Sequence, residues 1–283
     1  MGIIDQDWFH VRTFISHEVP IHAWWKDRDV CSTYWRYYVN SRAGASIRLH
    51  ADGSVFDLPP RMVHLVPAWV RFDLMPPANV VQHLYAHFDI VGLPGTLVRE
   101  VFARPVSLPF DAPLRATAEA MRAAIAGADA ARRPQAQFAA KAAIYAALAM
   151  LMSRLDPERS ARISSALHPD SRLAPALQRI EADVALPLRV SALARDCGFA
   201  EAHFARRFRA ELGQSPGQYL LERRVALAAQ RLLLSDESIE DIAERCGFPD
   251  RFYFTRVFTR RMGVPPAAYR RGQPDLGGRR TRG

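Results

Sequence analysis

From residue 8 to about residue 113, apolar and polar positions alternate in short runs broken by prolines and by Asp52-Gly53. Alternation puts successive side chains on opposite faces of an extended chain, so these runs predict strands. Residues 34–40 are aromatic and β-branched, 46–50 alternate, and 62–66 form a short apolar run. Residues 82–90 alternate most cleanly, with Leu84, Ala86, Phe88 and Ile90 on one face and His83, Tyr85, His87 and Asp89 on the other. Pro59, Pro60, Pro67, Pro76 and Pro77 punctuate the runs, as in a barrel or sandwich of short antiparallel strands. Beyond residue 113 the period changes to that of a helix. Residues 114–126 and 135–155 are alanine-rich and separated by Gly127 and Pro134. In the second segment Phe138, Ala142, Tyr145, Leu148 and Met152 trace an apolar stripe, which either covers the barrel or pairs with a second copy. Residues 156–170 carry Pro157, Pro169 and little periodicity, the pattern of a linker.

The remainder reads as helices, and it contains a duplication. Leu193-Ala194-Arg195-Asp196-Cys197-Gly198-Phe199 returns 49 positions later as Ile242-Ala243-Glu244-Arg245-Cys246-Gly247-Phe248. Each copy is followed by an aromatic pair at i and i+4, Phe204 with Phe208 and Phe254 with Phe258. Gly213, Pro216 and Tyr219 then match Gly263, Pro266 and Tyr269. Helices are predicted over 173–183, 190–197 and 200–212. Ser215 and Gln218, with Pro216 between them, then open a long helix to about residue 234. Ser238 with Asp241 opens the second copy, whose last full helix is predicted over 250–262. Helix, glycine turn, helix is the helix-turn-helix arrangement, in which glycine supplies a left-handed backbone at no steric cost. The aromatic pair fixes one face of the third helix and leaves the opposite face free for a major groove. That face carries Glu201, Ala202, Ala205, Arg206 and Arg209 in the first copy, and Asp250, Arg251, Tyr253, Thr255 and Arg256 in the second. Arg206 and Arg256 occupy equivalent positions, where arginine can donate twice to guanine or hold a phosphate. The alanines of the first copy suit contact with thymine methyls. A connecting helix of nineteen residues, 216–234, is ~28 Å long. With its flanking turns it sets the two reading helices roughly one DNA turn apart, ~34 Å.

Charge points the same way. Of the net +9, residues 171–283 supply +7, from 20 basic and 13 acidic side chains. Such concentration suits an anionic partner, nucleic acid being the commonest. A chain of 283 residues suits two domains, and no run of about 18 uncharged apolar residues suggests a membrane span. Residues 1–9 hold two aspartates and no basic residue, unlike a secretory signal. Three cysteines make no disulfide framework, so a reducing, cytoplasmic setting is expected.

On these residues, 173–271 closely resembles the DNA-binding domain of the AraC/XylS family of bacterial transcription regulators. The matching positions include Leu193-Ala194, Gly198-Phe199, Phe208, Gly213, Ser215-Pro216, Tyr219-Leu220, Arg224, Ile242-Ala243, Cys246-Gly247-Phe248, Phe254, Arg256, Phe258, Gly263, Pro266 and Tyr269-Arg270. The resemblance implies seven helices, two helix-turn-helix units and promoter binding. It places Ala202, Ala205 and Arg206, with Arg209 beside them, toward DNA from the first unit, and Arg251, Phe252, Tyr253, Thr255 and Arg256 from the second. Arg189 departs from the family's small polar N-cap, and Phe252 stands where a polar residue is common.

The front half resembles, more weakly, the sensory domain of sugar-responsive members, a cupin-like barrel followed by helices. That likeness rests on Leu58-Pro59-Pro60 and on His83-Leu84-Tyr85-Ala86-His87-Phe88. The expected fold is therefore α+β in two domains, with a cupin-like β-barrel and its covering or dimerising helices over 1–155. A linker over 156–172, an all-α double helix-turn-helix domain over 173–271 and a disordered basic tail over 272–283 complete it. Trp24, Trp25, Tyr34, Trp35, Arg36, Tyr38 and His83 are the candidate effector contacts, suited to stacking on a sugar or related metabolite. His83 and His87 lack the usual cupin His-x-His pattern, so neither a metal nor a cofactor is expected. The expected partners are double-stranded promoter DNA, a small effector, RNA polymerase and a second copy of the chain, with no membrane. The alternatives are a cupin-type enzyme, a DNA-repair methyltransferase carrying a helix-turn-helix domain, or a non-specific architectural DNA binder. The methyltransferase would need a reactive cysteine, for which Cys31 has no basic neighbour at short range.

Overall fold

The computed structural model describes residues 10–128, 132–167 and 172–271. The start of the chain and the basic tail over 272–283 lie outside the described residues. The front half forms the strands β1 (His10–Ile21), β2 (Asp27–Val30), β3 (Trp35–Asn40), β4 (Ser46–Leu49), β5 (Val55–Asp57), β6 (Met62–Val66), β7 (Phe72–Met75), β8 (Val81–Val91) and β9 (Val106–Pro109). They make two antiparallel sheets, ordered β1-β8-β3-β6-β9 and β2-β7-β4-β5. Tyr38, Val66 and Tyr85 of the first sheet meet Ile47, Leu49, Phe72 and Leu74 of the second in one apolar cluster. The outer face of the first sheet, with Trp35, Tyr37, Leu84, Ala86 and Phe88, is covered by helices. The alternation read in β8 therefore separates two buried faces, since its histidine-bearing side points between the sheets.

Those helices are α1 (Gly95–Val101), α2 (Ala112–Ala126), α3 (Arg133–Ser153) and α4 (Pro157–Leu167). Three expectations are corrected here. A helix, α1, interrupts the region read as strands. The segment 156–172 is mostly α4, whose Ile163 and Ala166 join the core beneath the first sheet. The side of α3 that meets this core is Ala136, Ala140, Ala143, Ile144, Ala147, Leu148 and Leu151. Of the predicted stripe only Leu148 is fully buried there and Met152 packs against its margin; Phe138 is 73% exposed, and Tyr145 meets the sheet through its hydroxyl, which accepts from the Val11 N–H at 3.0 Å. Alanine wins the inward face because its small side chain lets the helix backbone lie close to α2 and β1. By length and composition alone α3, 21 residues long with an 18-residue stretch of mean hydropathy 1.3, is apolar enough to cross a membrane.

The C-terminal half contains the seven helices α5 (Ala174–Ala182), α6 (Val190–Asp196), α7 (Glu201–Leu212), α8 (Pro216–Leu234), α9 (Ile239–Arg245), α10 (Arg251–Met262) and α11 (Pro266–Arg271). Both capping boxes form: Ser215 accepts from the Gln218 N–H and Ser238 from the Asp241 N–H. Arg189 caps α6 without a side-chain bond. Two separate cores result, one uniting α5, α6, α7 and the start of α8, the other the rest of α8 with α9, α10 and α11.

Candidate nucleic-acid interface

Each helix-turn-helix unit is built the same way. Gly198 and Gly247 turn the chain at φ 68° and 77°. Cys197 and Cys246, one residue earlier, are small enough to be buried, and burial pushes the Cys246 thiol up to about 12. In α7, Phe204 and Phe208 lie 5.5 Å apart by ring centroid, and Phe208 meets Tyr219 edge-on at 5.7 Å. In α10, Phe254 and Phe258 repeat the 5.5 Å spacing, and Phe258 meets Tyr269 at 5.3 Å. These ladders fix the rotation of α7 and α10 about their own axes, which decides what faces outward.

Outward, α7 exposes Ala202, Arg206 and Arg209, with Ala205 half-buried. Helix α10 exposes Arg251, Phe252 and Arg256, with Tyr253 and Thr255 half-buried. Of the nine expected DNA contacts six are exposed, most of them on the edge away from the aromatic ladder, while Ala205, Tyr253 and Thr255 are half-buried and Tyr253 packs against the core beside Phe248. Among the described residues Arg206, Arg209, Arg251 and Arg256 form no ion pair. Arg207, turned off that edge, is engaged instead with Glu211 at 2.9 Å. The Arg256 guanidinium lies over the Tyr253 ring at 5.4 Å, which holds it at the edge without neutralising it. Unpaired guanidiniums on the free edge of a helix are set to meet phosphate or guanine.

Sequence reasoning missed a second feature, the seam between the two halves. Asp89, at the end of the polar face of β8, accepts from Arg223 of α8 at 2.9 Å. Arg223 also pairs with Glu181 of α5 at 2.8 Å, and Glu181 meets Arg12 of β1 at 3.7 Å. Burial by itself would lower the Arg223 pKa, but the Asp89 and Glu181 carboxylates raise it well above the usual arginine value. Next to it, Glu222 accepts from the Gly95 N–H at 2.7 Å and lies 3.5 Å from Arg99 and 3.8 Å from Arg261. A Cβ on Gly95 would sit 2.6 Å from the Glu222 carboxylate and 2.7 Å from the Trp69 indole nitrogen, so only glycine fits. The available signal was weak: Glu222 and Arg223 are two adjacent charges in a helix that also carries Arg224, Gln230 and Arg231.

The expected effector residues divide. Trp25 and Tyr38 lie 5.4 and 4.6 Å from His83 by ring centroid, between the sheets. Arg36, 2% exposed, donates to Ser32 and lies over Tyr34 and Phe72. Trp35 points the other way, against Phe88 and Phe102 under the helices, because it is the odd neighbour in the alternation of β3. Trp24 is 42% exposed and donates to the Pro20 carbonyl. A cleft of about 320 Å³ lies elsewhere, lined by Leu49, Ala68, Trp69, Arg71, Arg99 and Phe102 among others. His83 is driven down to about 3 by burial, and its Nδ1 is 2.7 Å from the Asn40 side-chain oxygen. Cys31 is buried, and burial raises its thiol pKa, the opposite of what a nucleophilic cysteine needs.

Two helix-turn-helix units on one connecting helix, each with unpaired arginines on its free edge, define a double-headed DNA-binding protein. Residues 189–272 match the family model described as a helix-turn-helix domain. Over 94 residues the chain is 37% identical to the multiple antibiotic resistance protein MarA of Escherichia coli, covering 33% of this chain and 74% of that one. Over 83 residues it is 36% identical to the MmsAB operon regulatory protein of Pseudomonas aeruginosa, covering 29% of this chain and only 27% of that relative. In fold, an apo form of ToxT from Vibrio cholerae superposes with a TM-score of 0.50 at 12% identity, covering 93% of this chain and 97% of that one. The chain belongs to the AraC/XylS family of transcription regulators.

Proposed function

We propose that the protein binds promoter DNA in a sequence-specific way, placing α7 and α10 in successive major grooves and changing transcription in response to a small effector. The observation that carries this is the pair Arg206 and Arg256, exposed at equivalent positions of two helices whose opposite faces are locked by matching aromatic ladders. Nothing in the fold requires charge at either position. Selection of bound sites from random DNA with the full chain tests it. The expected product is a site with two information-rich segments about one helical turn apart, and a product with no consensus overturns the reading.

For the effector we favour the 320 Å³ cleft over the space between the sheets, where Trp25, Tyr38 and His83 pack on one another. The cleft borders the seam: Arg99 reaches Glu222 of α8, and Arg71 lies against Gly263 at the end of α10. An occupant there touches both halves of the molecule. Both guanidiniums are already paired, Arg71 with Asp29 at 2.7 Å and Arg99 with Glu222 at 3.5 Å, so the mostly apolar walls decide, and they suit a small carboxylate with an apolar body better than a neutral sugar. A thermal-shift panel of sugars and small carboxylates separates the two, since a true effector raises the melting temperature. The exposed Phe138 edge of α3 suits pairing with a second copy. We place the protein in the cytoplasm, at the nucleoid, with RNA polymerase as the partner through which a bound regulator acts.

A further inference from the structure

We propose that α10 recognises thymine by its methyl group, through the ring of Phe252. This rests on the reading that α10 enters the major groove. Phe252 is 84% exposed, the highest value among the large apolar side chains described. The other phenylalanines of the helix, Phe254 and Phe258, are fully buried, so the ring of Phe252 contributes nothing to the core. It occupies the second position of the helix, at the N-terminal end that reaches base edges in helix-turn-helix docking. Arg251 adjoins it, and Arg256 follows four residues later, one turn along the same face. A phenyl ring neither donates nor accepts a hydrogen bond, so it cannot read the nitrogen and oxygen pattern of a base edge. The one apolar feature the major groove offers is the 5-methyl of thymine.

The duplication makes the argument independent of one residue. The position equivalent to Phe252 is Ala202, also exposed, and Arg206 again follows four residues later. Both reading helices thus present an apolar side chain and then an arginine along one edge, and both apolar residues are exposed rather than buried in the core. The arginines around Phe252 suit a polyanion rather than a basic or apolar protein surface. The longer reach of the phenyl ring makes the second half-site the one more dependent on the methyl group.

The test uses an operator selected by the full chain, with thymines of the second half-site replaced singly by deoxyuridine, which pairs identically but lacks the methyl. Affinities are measured by fluorescence anisotropy for wild type, Phe252→Ala and Phe252→Leu. One replacement is expected to weaken wild-type binding by about fourfold or more, the factor for losing one buried methyl-sized group. Phe252→Ala should lose a similar factor on thymine DNA and then become indifferent to the replacement, while Phe252→Leu keeps part of the preference. An equal loss by Phe252→Ala on both DNAs, or no loss, overturns the proposal. So does intact DNA binding with lost transcription in Phe252→Ala, which would assign the ring to a protein partner. If Arg256→Ala also leaves binding unchanged, the groove reading has failed as well; if Arg256→Ala weakens it, only the methyl contact has.

Discussion

At the scale of single residues, the informative quantity is what each charged or polar side chain has instead of water. Among the described residues Arg256 has only the face of Tyr253. Replacing it by alanine removes only that exposed cation–π contact, so Arg256→Ala should melt within a degree or two of wild type while losing ~1–3 kcal/mol on a selected operator. A similar loss on random DNA would mark a phosphate contact rather than a base contact. The front domain holds the opposite case. His64, whose ring nitrogens lie 2.8 Å from the Ser107 hydroxyl and the Pro59 carbonyl, is driven down to about 4 by burial. His83 is driven to about 3, and His87 well below the ordinary value, for the same first reason. Protons therefore bind the unfolded chain below about pH 6.5 but not the folded one until near pH 4, so stability falls as pH drops through that window. Urea midpoints should decline from about pH 7.5 to about pH 5, above the range where carboxylates titrate; a flat profile would mean these rings are not held neutral. The exposed arginines were legible in the sequence because a 3.6-residue period with two aromatics fixes a helix face. The histidines were legible only as one face of a strand, because alternation does not say whether that face meets water or a second sheet.

Among the elements, the duplicated units share sequence and turn geometry but not surroundings. Both turn glycines have positive φ, so alanine at either carries a left-handed penalty of ~1–2 kcal/mol. A Cβ on Gly198 meets nothing within 4 Å, whereas one on Gly247 runs into the backbone carbonyl of Ala185 and lies 3.0 Å from the Arg224 guanidinium. A backbone carbonyl, tied to the chain on both sides, does not move aside cheaply. Gly198→Ala should therefore lower the melting temperature by a few degrees, at ~2–4 °C per kcal/mol, and Gly247→Ala by clearly more. Equal shifts would show that the second turn is free to relax. Caps and glycines are local signals, and they located the helices of the C-terminal half to within a residue or two. The orientation of α3 escaped, because an alanine-rich helix has apolar positions on several faces and the choice among them is made by how closely its neighbours approach. Helix α4 escaped because only Ile163 and Ala166 of its residues are buried, too few to mark a period.

For the molecule as a whole, α8 does two jobs that compete for its surface. It spaces the two reading units, and through Glu222 and Arg223 it is fastened to the start of α1 and to β8 of the front half. Neither tie was foreseeable: the partners lie more than a hundred residues away, on Asp89 and on the backbone of Gly95, and only the folded chain brings them together. Arg223 sits between two carboxylates in a buried setting, so its removal leaves Asp89 without its cation and facing Glu181. Deleting one member of such a group costs ~3–5 kcal/mol, whereas replacing the members by apolar side chains is often neutral. Arg223→Met should therefore separate the molecule energetically: calorimetry is expected to show one transition for the wild type and two for the variant. Asp89→Leu added to Arg223→Met should restore part of the loss, because Glu181 keeps Arg12 and the Tyr219 hydroxyl. The wild-type transition should persist in high salt, since buried pairs are screened little. If Arg223→Met melts in one transition at an unchanged temperature, the seam is a contact without coupling, and an effector in the neighbouring cleft has no route through α8 to the reading helices.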